Sequence, residues 1–219
     1  MSTRDDYDVW AATYDVVDNP LVAMSTFALD EAAAAGLFAG RRVLELGCGT
    51  ARNAAAILAG GAHEYVGLDA SREMLARGRA RLADEARVRL IEGDVASAPR
   101  EGFDVVFFCL VLEHFETLAT PLGAAVAALR AGGALRIFEL HPAWWHEGAR
   151  AHYVVDGEER ALASWPHDEA EFSAALPIAG ADLVTARSWY SHEAACTRSA
   201  KLRKRLGRPV LLEIAAHRR

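Results

Sequence analysis

The 219-residue sequence contains only three cysteines, and they lie far apart. Cys48, Cys109 and Cys196 form no C-x-x-C pair and no zinc-finger spacing, so the pattern indicates reduced thiols. Four histidines between 141 and 167 could in principle hold a metal, but no two are spaced as His-x-x-x-His. The sequence therefore predicts neither disulfides nor a bound metal.

The sequence also lacks an excess of positive charge and a long apolar run. Its 24 Lys and Arg residues are outnumbered by 30 Asp and Glu residues, which gives a formal net charge of −6. Such a chain is not expected to be attracted as a whole to nucleic acid or to an anionic membrane. No apolar run reaches the roughly 18 residues of a membrane span, and the polar segment 1–6 does not resemble a signal peptide. We therefore expect a cytoplasmic protein, either monomeric or homodimeric.

What is present is the composition and the alternation of an α/β protein. The hydrophobic fraction is 52%, and the length suits one domain with a sizeable core. Periodicity and breaker residues predict helices at 7–15, 21–37, 51–60, 71–84, 118–130 and 168–180. They predict strands at 42–46, 63–69, 87–92, 103–108, 134–140, 181–190 and 209–217.

The most informative segment is 41–53, which reads RRVLELGCGTARN. A short apolar strand, interrupted by Glu45, leads to Gly47 and Gly49 and then to a run compatible with a helix. Glycines in such a turn let the backbone approach a ligand closely. The new helix presents unpaired N–H groups there. The segment predicts a ligand that is nucleotide-like or carries a carboxylate.

The acid before the glycines separates two candidate families. A dinucleotide-binding fingerprint needs a third glycine at 52, where this chain has Arg52, and it has no use for Glu45. The pattern acid-x-Gly-x-Gly resembles motif I of the class I S-adenosylmethionine (SAM)-dependent methyltransferases. In that family the glycine loop carries the amino acid end of SAM, and a third glycine usually stands where this chain has Ala51.

Acids after the next two strands extend the resemblance. Asp69 follows Gly47 by 22 residues and is placed to bind the hydroxyls of a ribose. A helix N-cap is the alternative role, but Ser71 can fill it. Asp94 resembles the family residue that binds the adenine amino group, or it is a solvated turn acid. Met74 resembles the residue beside the adenine, with core packing as an equal alternative.

The strand 103–108 is almost wholly apolar, as in a parallel sheet that is buried on both faces. Cys109 follows at its carboxyl end, where ligands of open α/β sheets bind. The Asn/Asp-Pro-Pro signature of enzymes that modify nucleobases is missing there. Glu113 and His114 resemble a pair in small-molecule members of the family. His114 is a candidate general base, or it only lines the pocket or caps a helix.

Two aromatic segments are expected to cover the site. Tyr7, Trp10 and Tyr14 share one helix face, and they resemble the family's N-terminal lid, with a tyrosine near the methionine portion of SAM. Residues 143–167 contain three of the five tryptophans and interrupt the alternation. We interpret them as an insertion that builds the acceptor pocket, with a hairpin that packs its aromatic residues on the domain as the alternative. The basic stretch 197–208 is expected to be a solvated face.

Together these features predict one SAM-dependent methyltransferase domain over 1–219, with a helical lid at 1–40. The expected fold is Rossmann-like α/β, a seven-stranded, mostly parallel sheet with helices on both faces and an antiparallel last strand. The acceptor is a small molecule with an oxygen or nitrogen nucleophile rather than carbon, and S-adenosylhomocysteine is the product. A non-catalytic SAM-binding sensor or partner subunit is the alternative, and an NAD oxidoreductase is a third.

The resemblance and the interpretation of the aromatic segments together assign residues to each ligand. Those expected to contact the cofactor are Tyr14, Glu45, Gly47, Cys48, Gly49, Asn53, Asp69, Ala70, Met74, Asp94, Val95 and Cys109. Those expected to contact the acceptor are Tyr7, Glu113, His114, His141, Trp144, Trp145 and Trp165.

Overall fold

The computed structural model describes residues 2–100 and 102–219. Its helices are α1 (Thr3–Trp10), α2 (Pro20–Ala34), α3 (Ala54–Ala59), α4 (Arg72–Arg81), α5 (Ala119–Ala128), α6 (Pro142–His146), α7 (Glu169–Ala179) and α8 (Glu193–Cys196). Its strands are β1 (Arg42–Leu46), β2 (Glu64–Asp69), β3 (Val88–Glu92), β4 (Phe103–Cys109), β5 (Leu129–Leu140), β6 (His152–Val155), β7 (Glu158–Ala161), β8 (Ala181–Tyr190) and β9 (Pro209–Arg218).

Seven of these strands form one sheet in the order β3-β2-β1-β4-β5-β9-β8. The first five strands of this order are parallel, and β9 runs antiparallel to both β5 and β8. The prediction of a mostly parallel sheet with an antiparallel last strand is therefore confirmed. The order reverses between β1 and β4, and crevices at such reversals bind ligands at the carboxyl edge of open α/β sheets.

The strand β4 shows why helices cover both faces of the sheet. Its side chains alternate between two buried clusters, with Val105 and Phe107 on the face of α2 and α3. Val106 and Phe108 lie on the opposite face, with α5 and α7. A strand that is apolar at every position but one, Asp104, is expected to be buried on both sides, as the sequence predicts.

Several boundaries differ from the predicted ones, and three of them have consequences for the site or the sheet. The helix α1 ends at Trp10 rather than at residue 15, so Tyr14 lies in the following turn. The helix α3 begins at Ala54 rather than at 51, because Ala51 has a left-handed φ of 52° that an α-helix cannot contain. The strand β5 begins at Leu129 rather than at 134, directly after α5.

The segment predicted as an insertion, 143–167, contains most of α6 and the two-stranded hairpin β6–β7. Tyr153 of this hairpin is buried and stacks on Trp10 of α1, with 5.7 Å between ring centroids. Its hydroxyl donates to Asp6 Oδ1 at 2.8 Å. The hairpin therefore packs an aromatic residue on the domain, which is the alternative that the sequence left open, and it holds α1 in place.

The basic stretch 197–208 forms ion pairs with the rest of the domain. Arg198 pairs with Asp30 at 2.5 Å, and Arg205 pairs with Glu147 at 2.8 Å. The ammonium of Lys201 donates to the carbonyl of Asp18. Much of the positive charge here is thus neutralised locally.

In the part of the chain that the structure describes, no helix combines the length and apolar character that a membrane span requires.

Candidate functional site

A cavity of about 380 Å³ lies at the carboxyl ends of β1, β2 and β4, where the strand order reverses. It is lined by every residue predicted to contact the cofactor except Met74. Tyr7 and His114 line it as well. Met74 is fully buried and lies outside the lining, so its position fits the core-packing alternative. The topology thus brings together residues that lie up to 107 positions apart in the sequence.

The floor of the cavity is the turn between β1 and α3. The amides of Gly47 and Cys48 both donate to the carbonyl of Leu68, at 2.8 and 3.0 Å. Gly47 has a φ of 71°, and a Cβ built on it would lie 2.5 Å from a side-chain carbon of Val111. Both the backbone conformation and the lack of space therefore require glycine at 47.

Asp69 at the end of β2 locks this turn. Its carboxylate accepts from the amide of Gly49 at 2.7 Å and from the amide of Ser71 at 2.8 Å. Ser71 is the N-cap of α4, as predicted, because its hydroxyl accepts from the amide of Met74. Burial raises the pKa of Asp69, while the backbone donors of Ser71 and Gly49 act against that shift. The remaining acceptor capacity of the carboxylate faces the cavity.

Glu45 is engaged by the protein itself. Its carboxylate accepts from Asn53 Nδ2 at 2.6 Å and from the Tyr65 hydroxyl at 2.5 Å. Burial raises its pKa to about 7, although both hydrogen bonds lower it. Glu45 nevertheless lines the cavity, so its predicted contact with the cofactor stays a prediction. Glu45 ties the end of β1 to β2 and α3.

Arg52 is a site residue that the sequence reasoning missed. Its guanidinium lines the cavity and donates to Ser25 Oγ and to Cys109 Sγ, both at 3.3 Å. No carboxylate of the described residues lies within 4.0 Å of it. A cation so placed favours an anion in the cavity. The sequence shows an arginine three residues after Gly49. In the sequence analysis Arg52 serves only to exclude the dinucleotide-binding fingerprint, which has glycine at that position.

The two cysteines of the cavity are not nucleophiles. Burial raises the pKa of the Cys48 and Cys109 thiols above the ordinary value. Both side chains are buried and remain protonated, so they act as small apolar groups.

Asp94 accepts from the amide of Ala96 at 2.8 Å and begins the short 3₁₀ turn Val95–Ser97 at the far end of the cavity.

His114 is hydrogen-bonded through both ring nitrogens. Nδ1 lies 3.3 Å from the carbonyl oxygen of Ala163, and Nε2 lies 2.7 Å from the hydroxyl of Tyr7. A carbonyl can only accept, so Nδ1 carries the proton and Nε2 accepts from Tyr7. Burial raises the pKa of Tyr7 well above its ordinary value, so its phenol stays protonated. The basic nitrogen of His114 is therefore covered by Tyr7.

A second cavity of about 400 Å³ adjoins the first. Tyr7, Tyr14 and Leu110 line both cavities. The second one also contains Trp144 and Glu113, two of the residues predicted to contact an acceptor. Apolar walls with a few charged groups suit a small, partly polar molecule.

The structure places three other predicted acceptor residues elsewhere. His141 caps α6 through Nδ1, which accepts from the amide of Ala143, and its Nε2 lies 3.0 Å from Ser188 Oγ. Trp145 is covered by the Arg150 guanidinium at 3.5 Å and donates to a serine. Trp165 lies with Trp145 around a small void outside both cavities. None of the three lines either cavity, and their predicted contacts with the acceptor stay predictions.

Glu139 on β5 is a second residue that the sequence reasoning missed. Its buried carboxylate accepts from the amides of Val111 and Leu112, at 2.9 and 2.8 Å. These bonds hold the turn that follows Leu110, whose φ is 62°. Burial raises the pKa of Glu139 to about 8 despite the two donors. Glu139 thereby fixes the segment that separates the two cavities.

No group of three or more His, Cys, Asp or Glu side chains in residues 2–100 and 102–219 is arranged to hold a metal ion. The polar groups of the two cavities are instead hydrogen-bond donors and acceptors, and they include the half-buried Arg52. Such a set suits an organic ligand with hydroxyl, amine and carboxylate groups.

Comparison with known proteins agrees with this geometry. Residues 43–133 match a family model described as a methyltransferase domain. The chain is 36% identical over 103 residues to a demethylmenaquinone methyltransferase of Clavibacter sepedonicus, a match that covers 46% of this chain and 42% of that protein. The chain therefore matches less than half the length of that curated relative.

Two solved structures share the fold. An S-adenosylmethionine-dependent methyltransferase of Mesorhizobium loti has a TM-score of 0.68 and 22% identity, covering 82% of this chain and 92% of that chain. The 1,6-didemethyltoxoflavin-N1-methyltransferase of Burkholderia thailandensis, with its substrate and S-adenosylhomocysteine bound, has a TM-score of 0.66 and 19% identity. That match covers 98% of this chain and 86% of the other.

The turn at Gly47 generates the first prediction. Gly47→Ala is expected to lower the free energy of unfolding by about 2 kcal/mol or more, because it adds a clash with Val111 to the cost of a positive φ. Gly36→Ala is the matched control, since Gly36 has a φ of 82° but open space around it. The control should cost only about 1 kcal/mol. Urea denaturation of both variants measures the difference, and equal losses would contradict a crowded turn.

Burial of Glu139 generates a prediction on pH. Its folded pKa of about 8 lies above the ordinary 4.5, so the folded state binds the proton more tightly. This contribution to the free energy of unfolding is complete below the pKa of the unfolded state and is lost as the pH rises through the pKa of the folded state. Glu45 acts in the same direction. Stability should fall between about pH 5 and pH 8, with Glu139 contributing on the order of 2–4 kcal/mol.

Glu139→Gln keeps an oxygen for the two amides and cannot ionise. Its melting temperature should therefore fall less steeply with pH than that of the wild type. The exposed Glu73→Gln variant is the control and should follow the wild type. If the melting temperatures of Glu139→Gln and the wild type fall equally with pH, Glu139 does not bind a proton more tightly in the folded state.

Proposed function

We propose that this chain, a class I SAM-dependent methyltransferase by its fold and its matched domain, transfers a methyl group from SAM to a small-molecule acceptor. One observation carries the proposal. Two cavities meet at Tyr7, Tyr14 and Leu110, at the point where the strand order reverses. One suits the cofactor and the other suits an acceptor, so both ligands would meet at these three residues.

The residues of the first cavity fit SAM. Asp69 would bind the ribose hydroxyls, and Asp94 with Val95 would lie beside the adenine. The contact with Val111 leaves no space for a side chain at Gly47. The glycine turn also lets the backbone approach the amino acid end of SAM. Arg52, a cation without a carboxylate partner, would bind the carboxylate of that end.

When bound, SAM supplies an electrophilic methyl group on a sulfonium ion. The chain's own contribution is to hold the acceptor in line and to exclude water. The lid, 1–40, would close the first cavity, because Tyr7 bonds to His114 and Asp8 accepts from the hydroxyl of Ser71 at 2.6 Å. The insertion, 143–167, supplies Trp144 to the second cavity.

An acceptor with an O–H or N–H nucleophile suits the site better than a carbon nucleophile. The Tyr7 hydroxyl lies at the junction of the cavities and donates to His114 Nε2. A proton from the acceptor could pass to the Tyr7 oxygen while the phenolic proton passes to His114. His114 would therefore act through Tyr7 and not by direct contact with the acceptor.

The role of Arg52 is tested by comparing two ligands. S-adenosylhomocysteine has the amino acid end, whereas 5′-methylthioadenosine lacks it. Arg52→Met should weaken binding of the first by about 10- to 100-fold, as loss of a charge-assisted hydrogen bond predicts. Binding of the second should change by less than about 3-fold. Calorimetric titration measures both, and an equal loss for the two ligands would contradict the assignment to the carboxylate.

The reaction itself is tested with SAM labelled in the methyl group. Incubation with a metabolite extract should transfer label to a small molecule and release S-adenosylhomocysteine. Asp69→Ala should abolish transfer, because it removes both the lock on the glycine turn and a cofactor contact. Tight SAM binding without any release of S-adenosylhomocysteine would instead indicate a sensor or partner subunit. Binding of NADH in place of SAM would contradict the proposal altogether.

A further inference from the structure

A third cavity, of about 400 Å³, lies away from the site described above. It is formed between α2 and the strands β5, β9 and β8, and Arg41, directly before β1, also lines it. Its residues include Arg136, Trp189 and Glu213, and none of its lining residues lines the other two cavities. Arg41 directly precedes β1, and His217 lies near the carboxyl end of the antiparallel strand β9, so this cavity opens at the edge opposite the proposed cofactor site.

Arg136 is an anomaly in this cavity. It interrupts the apolar run 134–138 of the central strand β5, on the face where Ala134 and Phe138 pack in the core. Its Nη1 atom is buried and has no hydrogen-bond partner. The side chain as a whole is half-buried. An arginine that is partly removed from water is usually paired, because an unpaired charge away from water is unfavourable. Each such group requires an explanation.

The other charged groups of the cavity do not supply a partner. Among the residues that the structure describes, no carboxylate lies within 4.0 Å of the guanidinium of Arg136 or of Arg41. Glu31 pairs with Arg187 at 3.5 Å, and Glu213 accepts from the Trp189 indole at 2.9 Å. The acids that face the cavity are therefore already engaged by other groups.

The two free arginines also oppose each other. Burial lowers the pKa of Arg136, Glu213 partly offsets this, and Arg41 lowers it further. Like charges close together are unfavourable in the free protein, and Glu213 offsets this only in part, so an anion between the two arginines would relieve the repulsion.

We propose that this cavity binds the oxyanion group of a small organic ligand, a carboxylate or a phosphate, between Arg41 and Arg136. A guanidinium presents two parallel N–H donors, which match the oxygens of either group. The apolar part of the ligand would lie along Ala28 and Ala32 of α2 and against Trp189. Such a ligand would tie α2 and the start of β1 to β5. The inference does not depend on the proposed methyl transfer.

Thermal denaturation with inorganic phosphate or benzoate tests the proposal. Each probe is added at millimolar concentration against chloride of matched ionic strength. At least one probe should raise the melting temperature of the wild type by about 3 °C, as expected for a ligand that binds only the folded state. Phosphate alone would identify a phosphate ester as the ligand class, and benzoate alone would identify an aryl carboxylate.

Variants separate this site from general salt effects. Arg136→Met and Arg41→Gln should each lose the shift, whereas Arg72→Gln, which removes an exposed charge on α4, should keep it. In chloride alone Arg136→Met should melt no lower than the wild type, because it removes an unpaired buried charge. Undiminished S-adenosylhomocysteine binding would show that the variants retain the other site.

Two results would overturn the inference. One is a wild type that neither probe stabilises beyond chloride. The other is a shift that survives in Arg136→Met, or in Arg41→Gln if Arg136→Met does not fold. Failure here would leave the proposed methyl transfer untouched, since the two sites share no residues.

Discussion

The crowded turn after β1 is the constraint on which the rest of the site depends. Gly47 lies against Val111, so the turn after β1 and the turn after β4 meet without space for a side chain between them. The amides of the glycine turn are fixed from β2, by the carbonyl of Leu68 and the carboxylate of Asp69. Three parallel strands thereby end around one cavity whose floor is backbone. A close approach to a ligand is possible there because Gly47 and Gly49 carry no Cβ.

The two cavities adjoin at Tyr7, Tyr14 and Leu110. The helix α1 beside them is held by polar and aromatic contacts with two other segments. Tyr7 bonds to His114 at the end of β4, and Trp10 stacks on Tyr153 of the inserted hairpin. Glu139, from beneath, fixes the turn that carries Leu110. The walls of the first and second cavities are therefore parts of one packed unit. A change in the hairpin would be felt at Tyr7, although the hairpin does not line the first cavity.

The sequence predicted what is encoded locally. Apolar runs, glycines and capping residues predicted the seven strands of the main sheet, and eleven of the twelve residues predicted to contact the cofactor line one cavity. It could not predict features that depend on distant partners. His141 and Trp145 resembled acceptor residues, but they are occupied by Ser188 and Ser164, which come from other segments. Arg52 and Glu139 were missed because their importance comes from burial and from missing partners, which a sequence does not display. The left-handed Ala51 was likewise hidden within a helix-like run.

A crystal structure with S-adenosylhomocysteine is the most direct test of the central claim, that the turn at Gly47 and Gly49 holds an adenosyl cofactor. The account predicts the ribose on Asp69, the adenine beside Asp94 and the amino acid carboxylate on Arg52, with sulfur facing Tyr7 and Leu110. The ligand bound elsewhere, or in this cavity with its carboxylate remote from Arg52 and its ribose remote from Asp69, would contradict it.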